Sequence, residues 1–394
     1  MEKLKILIVD DEPFNVDYIE QELEDSGYAT ISAANGQEAL DKVLSEAPDL
    51  LLLDIMMPVM DGFEVLTRLK GNLETREIPV IIISASNDLK SMVRGIQLGA
   101  EDYLPKPFEP VLLQARIASC LEKKHLRDVE KLYFKSLERE LDIAREIQKG
   151  FLPPALPLVE GWEMAAYFNA AREVAGDYYD AFLLPDGSLV CLVGDVCGKG
   201  VGAALYMTLF RSLIRATSKS DYFYTHGSQR LAHAERLKHV IGFTNQYVAE
   251  THGHTSMFST VFISIINLQA GILTYINCGN EPALLVRNTG EVTELWPTGP
   301  IVGVIPDAEF LARELVMGQD DLLLAYTDGV TDALNIDQVS FGRPRLVELA
   351  LDKPANHGTC DGLLKNMELR LRQFTGEAVQ FDDITALAVR RLAR

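Results

Sequence analysis

The sequence predicts two folded units of different class joined by a helix: a doubly wound α/β unit on a parallel sheet, then an α+β unit of layered strands and helices. Three observations predict it. Over residues 1–118, five short apolar runs alternate with amphipathic segments. Residues 119–150 form a charged, proline-free stretch with one apolar stripe. From residue 155 onward, strand-like segments come in adjacent pairs separated by Gly-containing turns.

The five runs are Ile6–Val9, Ile31–Ala33, Leu50–Leu53, Val80–Ile83 and Tyr103–Leu104. Strands apolar at every position are buried on both faces, which requires a parallel sheet covered by helices on each side. Asn15–Ser26, Gly36–Glu46 and Glu64–Lys70 have the composition of such helices. In the connector, Tyr133, Leu137, Leu141, Ala144, Ile147 and Phe151 recur at threes and fours, so one stripe runs along a helix until FLPPALP stops it. A lone stripe leaving a compact unit is expected to pair with a second copy. In the C-terminal part, Tyr178–Leu184 pairs with Ser188–Gly194, and Phe258–Asn267 with Gly271–Cys278, as hairpins. Gly202–Ser218, Leu231–Glu250 and Asp361–Phe374 are helix candidates, with more helix after Thr331. The polar segment Lys219–Gln229 is expected to be a mobile loop, and the chain closes on the strand Ile384–Arg391. The expected division is 1–120, a helical linker and coiled-coil candidate over 121–150, and 151–394.

Of the 394 residues, 37 are Lys or Arg and 57 are Asp or Glu, a net charge of −20. Such a surface disfavours nucleic acid and anionic membranes, and no basic recognition helix is present. No apolar run approaches the roughly 18–20 residues of a membrane span. The apolar stretch in MEKLKILIVDDE is too short for a signal peptide. Five scattered cysteines without a CxxC pair suggest reduced thiols and a cytoplasmic location.

Chemistry-bearing residues cluster at the strand ends of the first unit. Asp10, Asp11 and Glu12 follow the first run, Asp54 the third, Ser84 ends the fourth, and Lys106 follows the fifth. A parallel sheet gathers its carboxyl ends at one edge, where ligands bind. Carboxylates brought together there repel unless a cation joins them, and oxygen ligands suit Mg²⁺. Any one of these aspartates alone is better read as a helix cap or turn residue. Together, LIVDDE, LLLDIMMPVMDG, IIISAS and YLPKPF resemble the response-regulator receiver domain over residues 1 to about 120. The resemblance implies that Asp54 is the phosphoacceptor and that Asp11, Asp54 and the Met56 carbonyl hold Mg²⁺, with Asp10 acting through water. It further implies that Lys106 pairs with the phosphoryl group, that Ser84 and Tyr103 form the switch, and that a sensor histidine kinase lies upstream.

Four further acidic motifs follow: AREVAGDYYD with Asp177 and Asp180, GDVCGKG with Asp195, YTDGVTD with Asp328, and FDDIT with Asp382 and Asp383. Asp177 and Asp195 fall on the two arms of one predicted hairpin, and neighbouring glycines allow close approach of backbone. Such a set without matching cations calls for divalent metal, and two ions about 3.5–4 Å apart would activate a water and clamp a phosphoryl oxygen. A TDG alone is a turn signal. In this order the four motifs resemble the PP2C-like metal-dependent serine/threonine phosphatases, and within them the bacterial branch typified by stage II sporulation protein E, over about 140–394. The fold expected is thus a flavodoxin-like α/β receiver, with a five-stranded doubly wound parallel sheet, joined by a long helix to an α+β, PP2C-like α/β/β/α sandwich.

That resemblance implies two Mn²⁺ or Mg²⁺ ions and hydrolysis without a covalent enzyme intermediate. Asp195 would bridge both ions, Asp177 and the Val196 carbonyl would complete one site, and Asp328 and Asp382 the other. The implied substrate is a phosphorylated STAS-type anti-sigma-factor antagonist. The alternative is a non-catalytic adaptor for a sigma or anti-sigma factor, which the surviving aspartates disfavour. Three departures stand out. Cys197, expected to be a small buried hydrophobe, replaces a common Ser. Asn280 and Glu281 replace the family's His-Asn, and Arg172 is the nearest candidate for a phosphate-gripping arginine. His252 and His254 read as turn histidines rather than metal ligands.

Overall fold

The computed structural model describes residues 3–85, 89–220, 232–352 and 358–393. The chain divides into two compact units between Leu137 and Glu138.

In the first unit, β1 (Lys5–Val9), β2 (Ala29–Ala33), β3 (Leu50–Leu53), β4 (Val80–Ser84) and β5 (Asp102–Pro105) form one parallel sheet in the order 2-1-3-4-5. Helices α1 (Pro13–Asp25), α2 (Gly36–Glu46), α3 (Gly62–Gly71), α4 (Leu89–Gln97) and the start of α5 (Pro110–Phe151) accompany it. The sheet is buried on both faces: Leu7 and Val9 enter one apolar cluster, Ile6 and Ile8 the other. Asn35 and Asp61 cap α2 and α3 by accepting from the amides of Glu38 and Glu64. The expected helix at Glu64–Lys70 thus begins earlier, where Asp61 satisfies its free amides.

Helix α5 is 42 residues long and starts well before the connector expected at 119–150. Leu113, Ile117, Cys120 and Leu121 bury into the first unit. Near its other end, Gln148 is buried in the second unit. Between them Leu126, Val129, Leu132, Tyr133 and Leu137 are exposed, as is Ile147 of the stripe; Leu141 and Ala144 are half-buried.

The second unit contains two five-stranded antiparallel sheets. One orders β13 (Arg313–Val316), β10 (Ile272–Cys278), β9 (Ser259–Asn267), β8 (Leu189–Val196) and β7 (Tyr178–Leu183). The other orders β12 (Val292–Leu295), β11 (Ala283–Val286), β14 (Leu322–Tyr326), β15 (Ile384–Arg391) and β6 (Trp162–Asn169). Strand alternation places the layers. Leu189, Cys191 and Val193 of β8 meet Leu323, Ala325, Leu387 and Val389 of the other sheet in the central core. Val190, Leu192 and Val196 face outward to α6 (Val201–Ser218) and α7 (His233–His252). On the opposite side α9 (Gly342–Leu351) and α10 (Cys360–Thr375) pack against the second sheet. The result is the expected α/β/β/α sandwich. After Thr331, helix resumes only at α9, because α8 (Asp328–Thr331) is a single turn. Residues 221–229 of the polar segment and the expected helix start at Leu231 lie outside the described residues. Among the described residues no helix is long and apolar enough to cross a membrane.

Candidate active sites

The first site lies at the carboxyl edge of the parallel sheet. Asp10, Asp11 and Asp54 each place a carboxylate oxygen within 4.8 Å of the others. Asp10 and Asp54 are buried, whereas Asp11 is exposed. Lys106 reaches in from the end of β5, with Nζ 2.6 Å from Asp10 and 2.5 Å from Asp54. Burial works against the charge of Lys106, but its hydrogen bonds to the two carboxylates outweigh it and raise its pKa above the usual lysine range. The Asp54 carboxylate also accepts from the Met56 amide at 3.2 Å, while the Met56 side chain is exposed. Gly62 permits this geometry, because a Cβ there would collide with the Asp54 carbonyl oxygen. Ser84 is fully buried at the end of β4, and its carbonyl accepts from the Lys106 amide at 2.8 Å. Tyr103 is buried in the cluster on one face of the sheet. Three oxygen ligands converging this closely fit a hard divalent cation.

The second site is built at one end of the facing sheets. Tyr178 pairs with Gly194, so the start of β7 and the end of β8 share an edge. Tyr326 pairs with Ala386, which puts the end of β14 beside the start of β15. Asp177, Asp195, Asp328 and Asp382 all project from these four positions. Asp195 has the parity of Leu189, Cys191 and Val193, so it points between the sheets. Gly176 packs its backbone against this end: a Cβ on it would lie 2.9 Å from the Val196 carbonyl and 3.2 Å from Asp195 Oδ1.

Electrostatics tie the group together. Burial, then the charges of Asp328, Asp382 and Asp383, raise Asp195 to about 7. Burial and the charge of Asp195 push Asp177 well above the carboxylate range. Burial and the charge of Asp382 raise Asp328 to about 6. Anionic groups held this unfavourably, all offering oxygen, fit divalent cations. Among the described residues only the receiver trio brings three ligand atoms within 4.8 Å, so the second cluster is more open.

Supporting contacts sort the remaining acids. Thr327 donates to Asp177 Oδ2 at 2.7 Å and accepts from the Thr385 amide at 3.1 Å. Asp383 accepts from the amides of Ala171 and Gly176, both at 2.7 Å, so each of its oxygens holds the loop before Asp177. Asp382 instead pairs with Lys199 at 3.0 Å. Asp180, although it shares a motif with Asp177, turns the other way: fully buried, it pairs with Arg211 at 2.9 Å and Arg215 at 2.6 Å on α6. Its strand parity matches Tyr178 and Phe182, which face the helices, and that signal was present in the sequence. Thr327 and Lys199 were missed there, because neither residue type marks a site by itself.

The departures also find places. Asn280 is buried and donates to the Tyr326 carbonyl at 3.0 Å, which steadies the strand end before Asp328. Glu281 pairs with Arg343 at 3.1 Å. Cys197 is only half-buried, not the buried hydrophobe expected, because its position follows the strand end. Arg172 is exposed and lines a cavity of about 310 Å³ with Arg145 and Gln148. His252 packs on the rings of Tyr206 and Tyr247.

Fold and sites together define a response-regulator receiver followed by a PP2C-like phosphatase sandwich. The family profile of stage II sporulation protein E (SpoIIE) matches residues 185–392, and that of the response regulator receiver domain matches residues 6–118. The chain belongs to the SpoIIE family and carries an N-terminal receiver domain. It is 39% identical over 265 residues to protein IcfG of Synechocystis sp. (strain ATCC 27184 / PCC 6803 / Kazusa), covering 64% of this chain and 41% of that protein. It is 40% identical over 122 residues to the alkaline phosphatase synthesis transcriptional regulatory protein PhoP of Bacillus subtilis (strain 168), covering 31% of this chain and 50% of that one. The chain thus spans half or less of the length of these relatives. The SiaA-PP2C domain of Pseudomonas aeruginosa superposes with a TM-score of 0.54 at 22% identity, over 66% of this chain and 98% of that chain, a likeness of fold.

Proposed function

We propose that the chain is a two-component response regulator in which phosphorylation of Asp54 by a sensor histidine kinase controls a metal-dependent protein serine/threonine phosphatase. The proposed substrate class is a phosphorylated STAS-type anti-sigma-factor antagonist. One observation carries the reading. Asp177, Asp195, Asp328 and Asp382 lie at strand ends of both sheets and their charges act on one another, whereas Asp383 is taken up by backbone amides and Asp180 by two arginines.

In the receiver, Asp10, Asp11, Asp54 and the Met56 carbonyl would hold Mg²⁺. An Asp54 carboxylate oxygen attacks the phosphorus of the kinase's phosphohistidine, the P–N bond breaks and the kinase's imidazole leaves, Lys106 offsets the charge added to Asp54, and Ser84 and Tyr103 respond to it. In the phosphatase, Asp195 would bridge two Mn²⁺ or Mg²⁺ ions, with Asp177 and the Val196 carbonyl on one side and Asp328 and Asp382 on the other. When bound, those ions would supply Lewis acidity and an activated water. Thr327 orients Asp177, and Asp383 fixes the loop that presents it.

Control runs through α5. Gln148 donates to the Ala175 carbonyl at 2.7 Å and accepts from the Ala175 amide at 3.0 Å. The helix end therefore grips the loop two residues before Asp177. The exposed stripe from Leu126 to Leu137 supports pairing with a second copy, so that phosphorylation alters how two helices meet.

Mn²⁺-dependent hydrolysis of a phosphoserine peptide and of p-nitrophenyl phosphate tests this reading. Wild type should exceed Asp195→Ala and Asp328→Ala by at least about a hundredfold, and phosphorylation of Asp54 should change the wild-type rate. Equal rates in all would favour an adaptor.

A further inference from the structure

The GDVCGKG motif contains a cation that neither resemblance assigns. Lys199 lies between Gly198 and Gly200, whose φ values of +94° and +78° fix a conformation that other residues adopt poorly. This turn delivers the ammonium to the mouth of the aspartate cluster. Its Nζ donates to the Phe381 carbonyl at 2.5 Å, pairs with Asp382 at 3.0 Å and sits 3.7 Å over the Phe381 ring. An ammonium has three donors, and these oxygens use two. The side chain keeps 27% of its surface exposed, so the remaining donor is open to an incoming ligand.

Among the described residues, three arginines of this unit are committed to other carboxylates. Arg211 and Arg215 neutralise Asp180, and Arg343 pairs with Glu281 and Glu294. Arg172 opens onto a separate cavity. A phosphoryl group entering a cage of carboxylates meets strong repulsion even when metal is bound, and needs a positive group beside it. The geometry points to Lys199 as the residue that grips the substrate's phosphoryl group, exchanging its contact with Asp382 for a non-bridging phosphoryl oxygen. The assignment rests on the phosphatase reading above. The exchange has a simple logic: with Asp382 engaged as a metal ligand, Lys199 would no longer be its counter-ion, and its ammonium would be free to turn to the anion arriving with the substrate.

The test uses the full chain as wild type, Lys199→Ala, Lys199→Arg and Asp195→Asn. Calorimetry measures Mn²⁺ binding, then binding of inorganic phosphate to the Mn²⁺-loaded protein, and kinetics on p-nitrophenyl phosphate give KM and kcat. Lys199→Ala should weaken phosphate binding and raise KM by about ten- to a hundredfold, the loss of one charge-assisted contact. Mn²⁺ binding should hold or tighten, and Lys199→Arg should recover most of the phosphate affinity. Phosphate affinity and KM within twofold of wild type in Lys199→Ala would overturn the assignment and leave Lys199 a mere counter-ion of Asp382. Loss of Mn²⁺ and phosphate binding in parallel would overturn it too, in favour of a structural role. Asp195→Asn separates the two levels: if it retains Mn²⁺ and turnover, the two-cation reading itself fails, whatever Lys199 does.

Discussion

The Thr327 hydroxyl donates to Asp177 at 2.7 Å across 150 residues of sequence, joining the end of one sheet to the start of the other. It also receives the Thr385 amide at 3.1 Å, so one small side chain satisfies two buried groups. Thr327→Val keeps the shape and removes both contacts. Stability should fall by about 1–3 kcal/mol, and Mn²⁺ affinity by about tenfold, as for other residues that orient a ligand. Thr327→Ser should stay near wild type. Urea unfolding and calorimetry measure the two effects.

Asp180 and Asp177 belong to one motif but should separate cleanly on mutation. Asp180→Ala leaves Arg211 and Arg215 facing an empty buried site and should cost about 3–5 kcal/mol. At a temperature where the variant remains folded, its Mn²⁺ affinity should match wild type. A weakened metal site in the folded variant would return Asp180 to the active centre.

The raised carboxyls predict an unusual pH response. Asp195 and Asp328 reach about 7 and about 6 in the fold, against 3.8 for an ordinary Asp. Between roughly pH 4 and 7 the folded, metal-free chain therefore holds more protons at these positions than the unfolded chain, and their contribution to stability declines as pH rises. In EDTA, wild type should lose stability relative to an Asp195→Asn/Asp328→Asn variant as pH goes from 5 to 7.5. Metal ligation needs the deprotonated form, so Mn²⁺ affinity should rise over the same interval. Thermal melts with and without Mn²⁺ check both signs.

Gln148 predicts a break between the receiver and the phosphatase. Gln148→Leu removes both hydrogen bonds to Ala175. Basal Mn²⁺-dependent hydrolysis should change, and its response to Asp54 phosphorylation should vanish, while phosphorylation of Asp54 itself proceeds normally. Radiolabel transfer and hydrolysis assays on one preparation distinguish these. A full phosphorylation response in the variant would show that control bypasses the Ala175 loop.

Much of this architecture was legible in the sequence, because parallel strands such as Leu50–Leu53 are apolar throughout and hairpins such as β7–β8 carry their turn residues with them. The receiver trio was legible for the same reason: strand ends of a parallel sheet must share an edge. Strand β6 was not expected, since its half-buried pattern at Trp162–Asn169 is weak and its pairing with β15 links the two ends of the unit. Asp382 was set apart from Asp383 only by the family resemblance, and what Asp383 does was not legible in the residues themselves. Adjacent identical residues carry no local signal, and only the approach of Ala171 and Gly176 from over 200 positions away commits Asp383.

The 42-residue α5 contributes buried residues to both units, Leu113 and Ile117 to the first and Gln148 to the second. A helix has phase as well as length. Each residue added to an α-helix advances its phase by about 100°, whereas seven complete nearly two full turns. If the proposed control runs through this helix, response to the receiver should vary with insertion length in a helical rhythm, and an equal response at every insertion length would show that the helix serves only as a tether.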